Sequence, residues 1–249
     1  MDDLMLDVAK ASWVQVKDAA DRGVLAVLAV GAVEQHGAHL PLLTDTVLAA
    51  GVARRVAQGL DALLLPPVAY GDAWNNEGFA GTISLSPTTL RAVVEDIGRG
   101  LHRIGVKGLL TVNGHFGNRE PIALAARTLA ELGLPVLHLD YPKLEVFAGE
   151  VCDSAPAGNH FYHADEVETS MMLALAAETV AMDKAAPEYP AFPETFGLEP
   201  MQLSTFNRSG VFGDPRPATA EKGEALIRKI VEESLRLAAI WKTRHSIGL

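Results

Sequence analysis

The chain has 249 residues, of which 49% are hydrophobic and 21% charged, so it can bury a full core, and we expect one domain over residues 1–249. Its formal net charge of −10, with 21 scattered Lys and Arg residues, argues against binding nucleic acid or an anionic membrane and leaves small polar substrates or protein partners. The single cysteine, Cys152, excludes an internal disulfide, the acidic N-terminus does not resemble a signal peptide, and no apolar run is long enough to span a bilayer, so we expect a soluble cytoplasmic protein with an inert thiol.

Short continuous apolar runs alternate with helical patterns along most of the chain. The runs that predict strands are 23–31, 62–70, 106–114 and 134–141. The patterns that predict helices are 45–60, 86–105, 120–133, about 165–181 and about 218–243. The irregular segment 186–217 is interpreted as a long functional loop rather than a domain linker. This order predicts an α/β layered sandwich with a mostly parallel sheet flanked by helices.

The first predicted strand leads into the charged segment "GAVEQHGAHLPLLTDT", residues 31–46. Loops beyond the carboxyl ends of parallel strands form the ligand sites of such sheets. Glu34 and His36 point the same way if the segment is extended, and Asp45 begins the next helix. Carboxylate and imidazole together suit Zn, Mn or Fe(II). Each residue also has an ordinary interpretation: Asp45 as a helix N-cap, His36 as a loop histidine bonded to backbone, and Glu34 as a solvated charge.

The third predicted strand ends in the same way, with "TVNGHFGN" at residues 111–118. The glycines on either side of His115 permit a tight turn that places this histidine at the same edge of the sheet. A single histidine in a turn needs no functional explanation. Together with Glu34, His36 and Asp45, however, it completes a set of four candidate ligands.

A third cluster, "HADEVETS" at residues 163–170, opens a predicted helix. Asp165 as N-cap and Glu168 three residues later form a pair similar to a capping box, and acidic residues favour a helix N-terminus. Capping therefore explains part of this cluster without any function. It does not explain His163.

Four segments, "EQHGAHLPLLTDT", "NGHFGN", "HADEVETS" and "GVFGDP", occur in this order over nearly the whole chain. Together they resemble the creatininase (creatinine amidohydrolase) family. The resemblance implies an α/β sandwich, two divalent metal ions per chain (Zn, Mn or Fe) and hydrolysis of a C–N bond in a small-molecule amide. It also implies a homo-oligomer, often a hexamer.

The resemblance assigns roles to individual residues. Glu34 and His115 resemble ligands of one metal ion and His36 a ligand of the other. Asp45 resembles the carboxylate that bridges both ions. His163 matches the family histidine that transfers protons.

The chain also departs from the family pattern. In creatininase a glutamate stands two residues after the histidine of the motif that matches "NGHFGN" and completes the second metal site. Gly117 stands at that position in this chain. Glu168 is the first candidate to replace it and Glu166 the second. Asp165 takes the place of a family glycine, which could change how the helix approaches the metal ions.

Creatininase closes tryptophans over its flat substrate, and this chain lacks them in the segment before His163, where Asn159 and Phe161 stand. Phe116 also replaces a tyrosine. We therefore predict that creatinine is a poor substrate and that the chain acts on a different amide. Candidate pocket walls are Asn159, Phe79, Phe116, Tyr162 and the 186–217 loop.

The predicted function is thus a metal-dependent amidohydrolase that cleaves a C–N bond of a small, cyclic or formyl amide with water activated by two metal ions. The same ligands would serve a peptidase that matures a small peptide or a hydrolase that opens a keto-inositol ring. A metal-bound structural or sensing protein is the alternative outside enzymes. A serine hydrolase and a nucleotide-binding protein are disfavoured, because neither a G-x-S-x-G elbow nor a P-loop or G-x-G-x-x-G occurs.

Overall fold

The computed structural model describes residues 5–158 and 161–247, which form an α/β sandwich around a five-stranded sheet. The strands are β1 (Leu6–Asp7), β2 (Ala26–Val30), β3 (Leu63–Leu64), β4 (Leu109–Asn113) and β5 (Val136–Leu139). Their order across the sheet is β1-β3-β2-β4-β5, and all pairings between these strands are parallel. The predicted layered sandwich with a mostly parallel sheet is confirmed.

Helices cover both faces of the sheet. They are α1 (Trp13–Asp21), α2 (Thr44–Leu60), α3 (Pro87–Arg103), α4 (Arg119–Glu131), α5 (Leu144–Val151), α6 (Glu166–Ala176) and α7 (Ala220–Arg244). The central strand β2 is buried throughout, and its side chains alternate between two apolar clusters. Val27 and Ala29 pack with α2, α6 and α7, whereas Leu28 and Val30 pack with α3 and α4. Burial on both faces explains why this strand is a continuous apolar run.

The end of β2 lies directly beside the end of β4, which positions the candidate site. Val30 pairs with Asn113 in the parallel register. The segment that follows β2 carries Glu34 and His36, and the turn that follows β4 carries His115. Two candidate motifs that are far apart in sequence therefore begin at neighbouring strand ends.

Some predicted elements differ from the observed ones. The run 62–70 contains only the two-residue strand β3, because Pro66 and Pro67 have no N–H group to donate to a neighbouring strand. The helix predicted to about residue 181 ends at Ala176 and continues as one turn of 3₁₀ helix, Ala177–Thr179. The elements β1, α1 and α5 were not predicted.

The segment 186–217 is irregular, as predicted, with a single 3₁₀ turn, Leu203–Thr205, among the described elements. Glu188 and Gly213 close its two ends by reciprocal backbone hydrogen bonds of 3.0 and 2.8 Å. Phe192 of this segment packs edge to face with Phe161, and Phe212, near the end of the segment, lies with its ring centroid 5.9 Å from that of His163. Within the described residues, no helix combines the length and apolar character needed to cross a membrane.

Candidate metal centre

The predicted ligands meet in a buried cluster at the carboxyl ends of β2 and β4. Glu34, His36 and Asp45 are each at most 2% exposed. Asp45 lies in the first turn of α2, whose N-cap is Leu43, so the side chain of Asp45 does not cap the helix. The solvated-charge interpretation of Glu34 and the capping interpretation of Asp45 are both excluded by this geometry.

A first group of ligand atoms surrounds His115. Its Nδ1 lies 3.2 Å from Glu34 Oε1 and 3.2 Å from Asp45 Oδ2. These three residues can present one ligand atom each to a common point.

A second group of ligand atoms surrounds His36. Its Nε2 lies 3.0 Å from Asp45 Oδ1 and 3.6 Å from Glu168 Oε2. Asp45 therefore turns one carboxylate oxygen towards each group. This is the arrangement that a carboxylate bridging two cations requires.

The donor atoms fit divalent cations. An ion bound at about 2.1 Å by each ligand places neighbouring ligand atoms about 3.0–3.4 Å apart in octahedral or tetrahedral geometry. The distances within both groups fall in or near this range. Within the part of the chain that the structure describes, His36 Nε2 and Asp45 Oδ2 are buried without a hydrogen-bond partner, although each lies close to other ligand atoms of the cluster. Buried polar atoms that converge without hydrogen bonds are expected where an ion binds.

The far side of each ligand histidine supports this interpretation. His36 Nδ1 donates to the carbonyl oxygen of Glu34 at 3.1 Å, and His115 Nε2 donates to the carbonyl oxygen of Asp72 at 2.7 Å. Because a carbonyl only accepts, the nitrogen facing it carries a proton, and the other ring nitrogen is the one that can bind an ion once the ring is neutral. Metal-binding histidines are commonly fixed in this way.

The charges of the cluster are balanced by protons when no cation is bound. Burial lowers the pKa of His36, but the Asp45 and Glu168 carboxylates outweigh it and raise that pKa to about 10. Burial also lowers the pKa of His115, but Glu34 and Asp45 outweigh it and raise that pKa well above its usual value. Cations must displace these protons, so we expect metal affinity to fall in acid.

The two candidate glutamates of the segment "HADEVETS", Glu166 and Glu168, lie in different environments. Glu168 Oε2 accepts a hydrogen bond from Ala164 N at 2.6 Å and faces His36, and burial raises the pKa of Glu168 to about 8. Glu166 turns away and accepts from Lys222 Nζ and from the backbone N–H groups of residues 153 and 154. Only Glu168 of these two lies among the potential ligands.

Asp165 caps helix α6, as the sequence indicated. Its Oδ1 accepts from Val167 N at 3.0 Å and from Glu168 N at 3.2 Å. The predicted capping-box-like pair forms only on the Asp165 side, because the Glu168 carboxylate bonds to Ala164 and faces the cluster. Capping thus orients the first turn of α6 so that Glu168 points at the centre.

His163 lies beside the cluster and, with Glu34 and His36, forms a third group whose atoms could reach one ion, but its second ring nitrogen faces an amide and not a carbonyl. Its Nδ1 is 3.6 Å from Glu34 Oε1, and its ring centroid is 4.4 Å from that of His36. Its Nε2 lies 2.7 Å from the amide nitrogen of Gln35, a residue that the sequence did not single out. Burial and the neighbouring His36 hold the pKa of His163 well below its usual value. Both effects favour the neutral imidazole at His163.

Gly117 is required by a close approach of backbone atoms. A Cβ atom at this position would lie 2.0 Å from the Asp72 carbonyl oxygen and 2.9 Å from His115 Nε2. These are the two atoms of the hydrogen bond that fixes the ligand histidine. The glutamate of creatininase therefore has no room here, whereas the Glu168 carboxylate on helix α6 faces His36.

We expect Gly117→Ala to weaken zinc binding about 10- to 100-fold, the usual loss when the outer partner of a metal-binding histidine is disturbed. Competition titration with a chromophoric chelator measures this affinity. Gly149→Ala is the matched control, because a Cβ at Gly149 contacts nothing within 4 Å. Equal zinc affinity in both variants would show that the bond from His115 to Asp72 does not matter.

The residues predicted to form the pocket walls differ in their exposure. Phe116 is 66% exposed next to His115 and lies under the guanidinium of Arg119. Tyr162 packs against the apolar core, and Phe79 is half-buried. Asn159 lies outside the described residues.

Burial raises the pKa of the Cys152 thiol to about 12, which agrees with an inert thiol.

Comparisons with known proteins point to one family. A family model described as creatininase, creatinine amidohydrolase, matches residues 9–238. The mycofactocin precursor peptide peptidase of Mycolicibacterium smegmatis is 33% identical over 218 residues, which cover 83% of this chain and 81% of that protein. The creatinine amidohydrolase of Pseudomonas putida is 30% identical over 241 residues, covering 90% of this chain and 93% of that protein. A crystal structure of creatininase is similar with a TM-score of 0.82 at 29% identity, covering 93% of this chain and 96% of that one. Similar solved creatininases include a manganese form and a Zn–Zn variant.

Proposed function

The chain belongs to the creatininase family of amidohydrolases, and from this we propose that it hydrolyses a C–N bond of a small cyclic or formyl amide at a centre of two divalent ions. The observation that carries the proposal is the position of Asp45, whose two oxygens face two separate groups of ligand atoms. Glu34, Asp45 and His115 would hold one ion, and His36, Asp45 and Glu168 the other. Zinc and manganese are the first choices, because related creatininases contain them, and iron would suit the same donors.

Two divalent ions bound here would polarise a substrate carbonyl and lower the pKa of a water molecule. The chain's own residues provide the remaining steps. The backbone carbonyl oxygens of Glu34 and Asp72 fix the two candidate ligand histidines, and Phe212 packs beside His163 and limits water there. The neutral imidazole of His163 gives its Nδ1 proton to the leaving nitrogen and takes up the proton of the attacking water in its place, so one N–H bond breaks as another forms and the ring returns to its starting form.

Creatinine itself is expected to be a poor substrate. A small flat ring offers few contacts, so aromatic residues that close over it must provide most of its orientation. Of the tryptophans, Trp13 is 77% exposed on helix α1 and Trp241 is buried in the core, so neither can do this. Trp74 is 39% exposed and lies between Asp72 and Asn76, which bond to His115 and Glu34, but it does not stand in the segment before His163 from which creatininase closes its tryptophans. A short peptide is the second candidate substrate, because the peptidase relative is 33% identical to this chain.

An amide panel tests the function. Protein loaded with zinc or manganese is assayed with creatinine, cyclic amides, formamides and short peptides, with and without chelator. We expect at least one amide other than creatinine to reach kcat/KM of about 10⁴ M⁻¹s⁻¹, and creatinine to fall below it. Activity should stop when chelator removes the metal. Fast creatinine hydrolysis would overturn the substrate proposal, and no turnover of any compound would favour a structural or sensing protein.

We also propose a cytoplasmic homo-oligomer, a hexamer by resemblance to the family. Large apolar side chains such as Trp13 and Leu198 are 77% and 83% exposed, and the mean hydropathy of the chain is +0.16. Covering such side chains in subunit contacts would stabilise an assembly. Light scattering at micromolar concentration should give a multiple of the single-chain mass, and a monomer would refute the proposal.

A further inference from the structure

Gln35 is a buried amide that connects the candidate metal centre to His163. It is 5% exposed, and its Nε2 lies 2.8 Å from Asn76 Oδ1 and 2.7 Å from His163 Nε2. Asn76 in turn donates from Nδ2 to Glu34 Oε2 at 2.8 Å. A continuous chain of hydrogen bonds therefore runs from Glu34 through two amides to His163.

The direction of every bond in this chain is fixed at its ends. The Glu34 carboxylate only accepts, so Asn76 must turn its NH₂ towards Glu34 and its oxygen towards Gln35. Gln35 must then present its NH₂ to that oxygen. Independently, the backbone N–H of Gly37, which only donates, bonds to Gln35 Oε1 at 3.0 Å. The bonds at the two ends, from Asn76 to Glu34 and from Gly37 to Gln35, therefore both place the amide nitrogen of Gln35 towards His163.

This direction determines which nitrogen of His163 holds the proton. Because Gln35 donates to His163 Nε2, that nitrogen must carry the lone pair, and the proton of the neutral ring lies on Nδ1. Nδ1 is the atom that faces Glu34 Oε1, at 3.6 Å. The contrast with His36 and His115 is direct, because their outward nitrogens face carbonyl acceptors and their inward nitrogens are the ones that can bind an ion once the rings are neutral.

The loop that follows Asn207 is shaped around the same amide. Gly210 has φ of +82°, and a Cβ atom on it would lie 1.7 Å from Gln35 Oε1. Its carbonyl oxygen is a third and longer contact of Gln35 Nε2, at 3.2 Å, beyond the two nearer acceptors at 2.8 and 2.7 Å that the two N–H groups of the amide serve. Only glycine allows this backbone to reach so close to the Gln35 side chain, which limits the positions that the amide can take.

We propose that Gln35 is a positioning residue that holds His163 in the Nδ1–H form. In that form the nitrogen facing the centre bears a proton and cannot bind a metal ion, although it lies within reach of Glu34 and His36, so His163 is left to give that proton to the leaving nitrogen. The inference rests on the proposed role of His163 in the hydrolysis.

The test uses zinc-loaded protein labelled with ¹⁵N-histidine, in which ¹H–¹⁵N NMR distinguishes protonated from unprotonated ring nitrogens. The signals of His163 are identified by their loss in His163→Gln. In the unmodified chain we expect the Nδ1–H form to exceed the Nε2–H form at least about tenfold, because the second form would place two N–H groups against each other. A dominant Nε2–H form, a doubly protonated ring or a zinc-bound Nδ1 would each overturn the proposal.

Gln35→Met removes the donor while keeping the length of the side chain. The Asn76 oxygen is then left without its partner, so we expect His163 to shift to the Nε2–H form and bond towards it. Asn207→Asp is the matched control: it also changes a buried amide beside Gly210, but Asn207 bonds to backbone atoms of its own loop and not to His163. An unchanged tautomer in Gln35→Met would show that Gln35 does not set it. The NMR result is independent of turnover, so it can fail while the proposed hydrolysis stands, and the amide panel can fail while the tautomer is as expected.

Discussion

Replacing Asp45 with Asn should lower the zinc content from two ions per chain to less than one and reduce turnover at least about 10³-fold. Asp45 presents Oδ1 to the group around His36 and Oδ2 to the group around His115, and asparagine keeps one oxygen without the negative charge. Both ions would therefore lose a ligand together. Metal ions contribute several kcal/mol to such reactions, and each 1.36 kcal/mol is a factor of ten in rate.

Elemental analysis and turnover of the best panel substrate measure the two effects. Glu233→Gln is the matched control, because Glu233 is a buried carboxylate of α7 that pairs with Arg236 and Lys143. We expect the control to keep two zinc ions. If Asp45→Asn also kept two ions, the bridging role of Asp45 would be wrong.

Replacing His163 with Gln should lower kcat about 10²- to 10⁴-fold, the usual loss for a general acid or base, and leave the metal content unchanged. The reason is that Nε2 of His163 faces the Gln35 amide and Nδ1 faces Glu34, so the ring is placed to carry protons and not to hold an ion. Glutamine fills the same space, but its side-chain amide does not take up or release a proton near neutral pH.

The control for this substitution is His138→Gln. His138 is a half-buried histidine of β5 that bonds to Thr111, away from the cluster, and its loss should leave kcat unaltered. If His163→Gln lost its metal ions in proportion to its loss of activity, His163 would be a metal ligand and not a proton carrier.

The sequence predicted the core of the candidate centre for a physical reason. Parallel strands end at one edge of the sheet, so polar residues directly after two such strands must lie near each other. Glu34, His36 and His115 follow strands β2 and β4 in this way, and the structure brings them together with Asp45. Their roles as ligands remain a proposal that the Asp45 variant tests.

The choice between the two glutamates could not be made from the sequence. Both lie in the first turn of a helix, and only the packing of α6 against Lys222 shows that Glu166 is engaged elsewhere. Gln35 was overlooked for a similar reason. On an extended segment it points away from its neighbours Glu34 and His36, and its partner His163 is supplied by a distant part of the chain.

The missed elements are short or weakly patterned. Strand β1 has two residues and pairs only with the two-residue strand β3, too few for a period to be visible. Helix α1 is mostly exposed, but its start had a readable signal: Ser12 and Gln15 form a capping box. That pair would have predicted the helix.

Diffraction data collected at the zinc absorption edge, from crystals of the zinc-loaded protein, test the central claim most directly. We predict two anomalous peaks about 3.5–4 Å apart, the usual spacing of two-metal hydrolytic centres, on either side of the Asp45 carboxylate. One peak should lie among Glu34, Asp45 and His115, and the other among His36, Asp45 and Glu168. A single peak, or a peak bound by His163 Nδ1, would contradict the account.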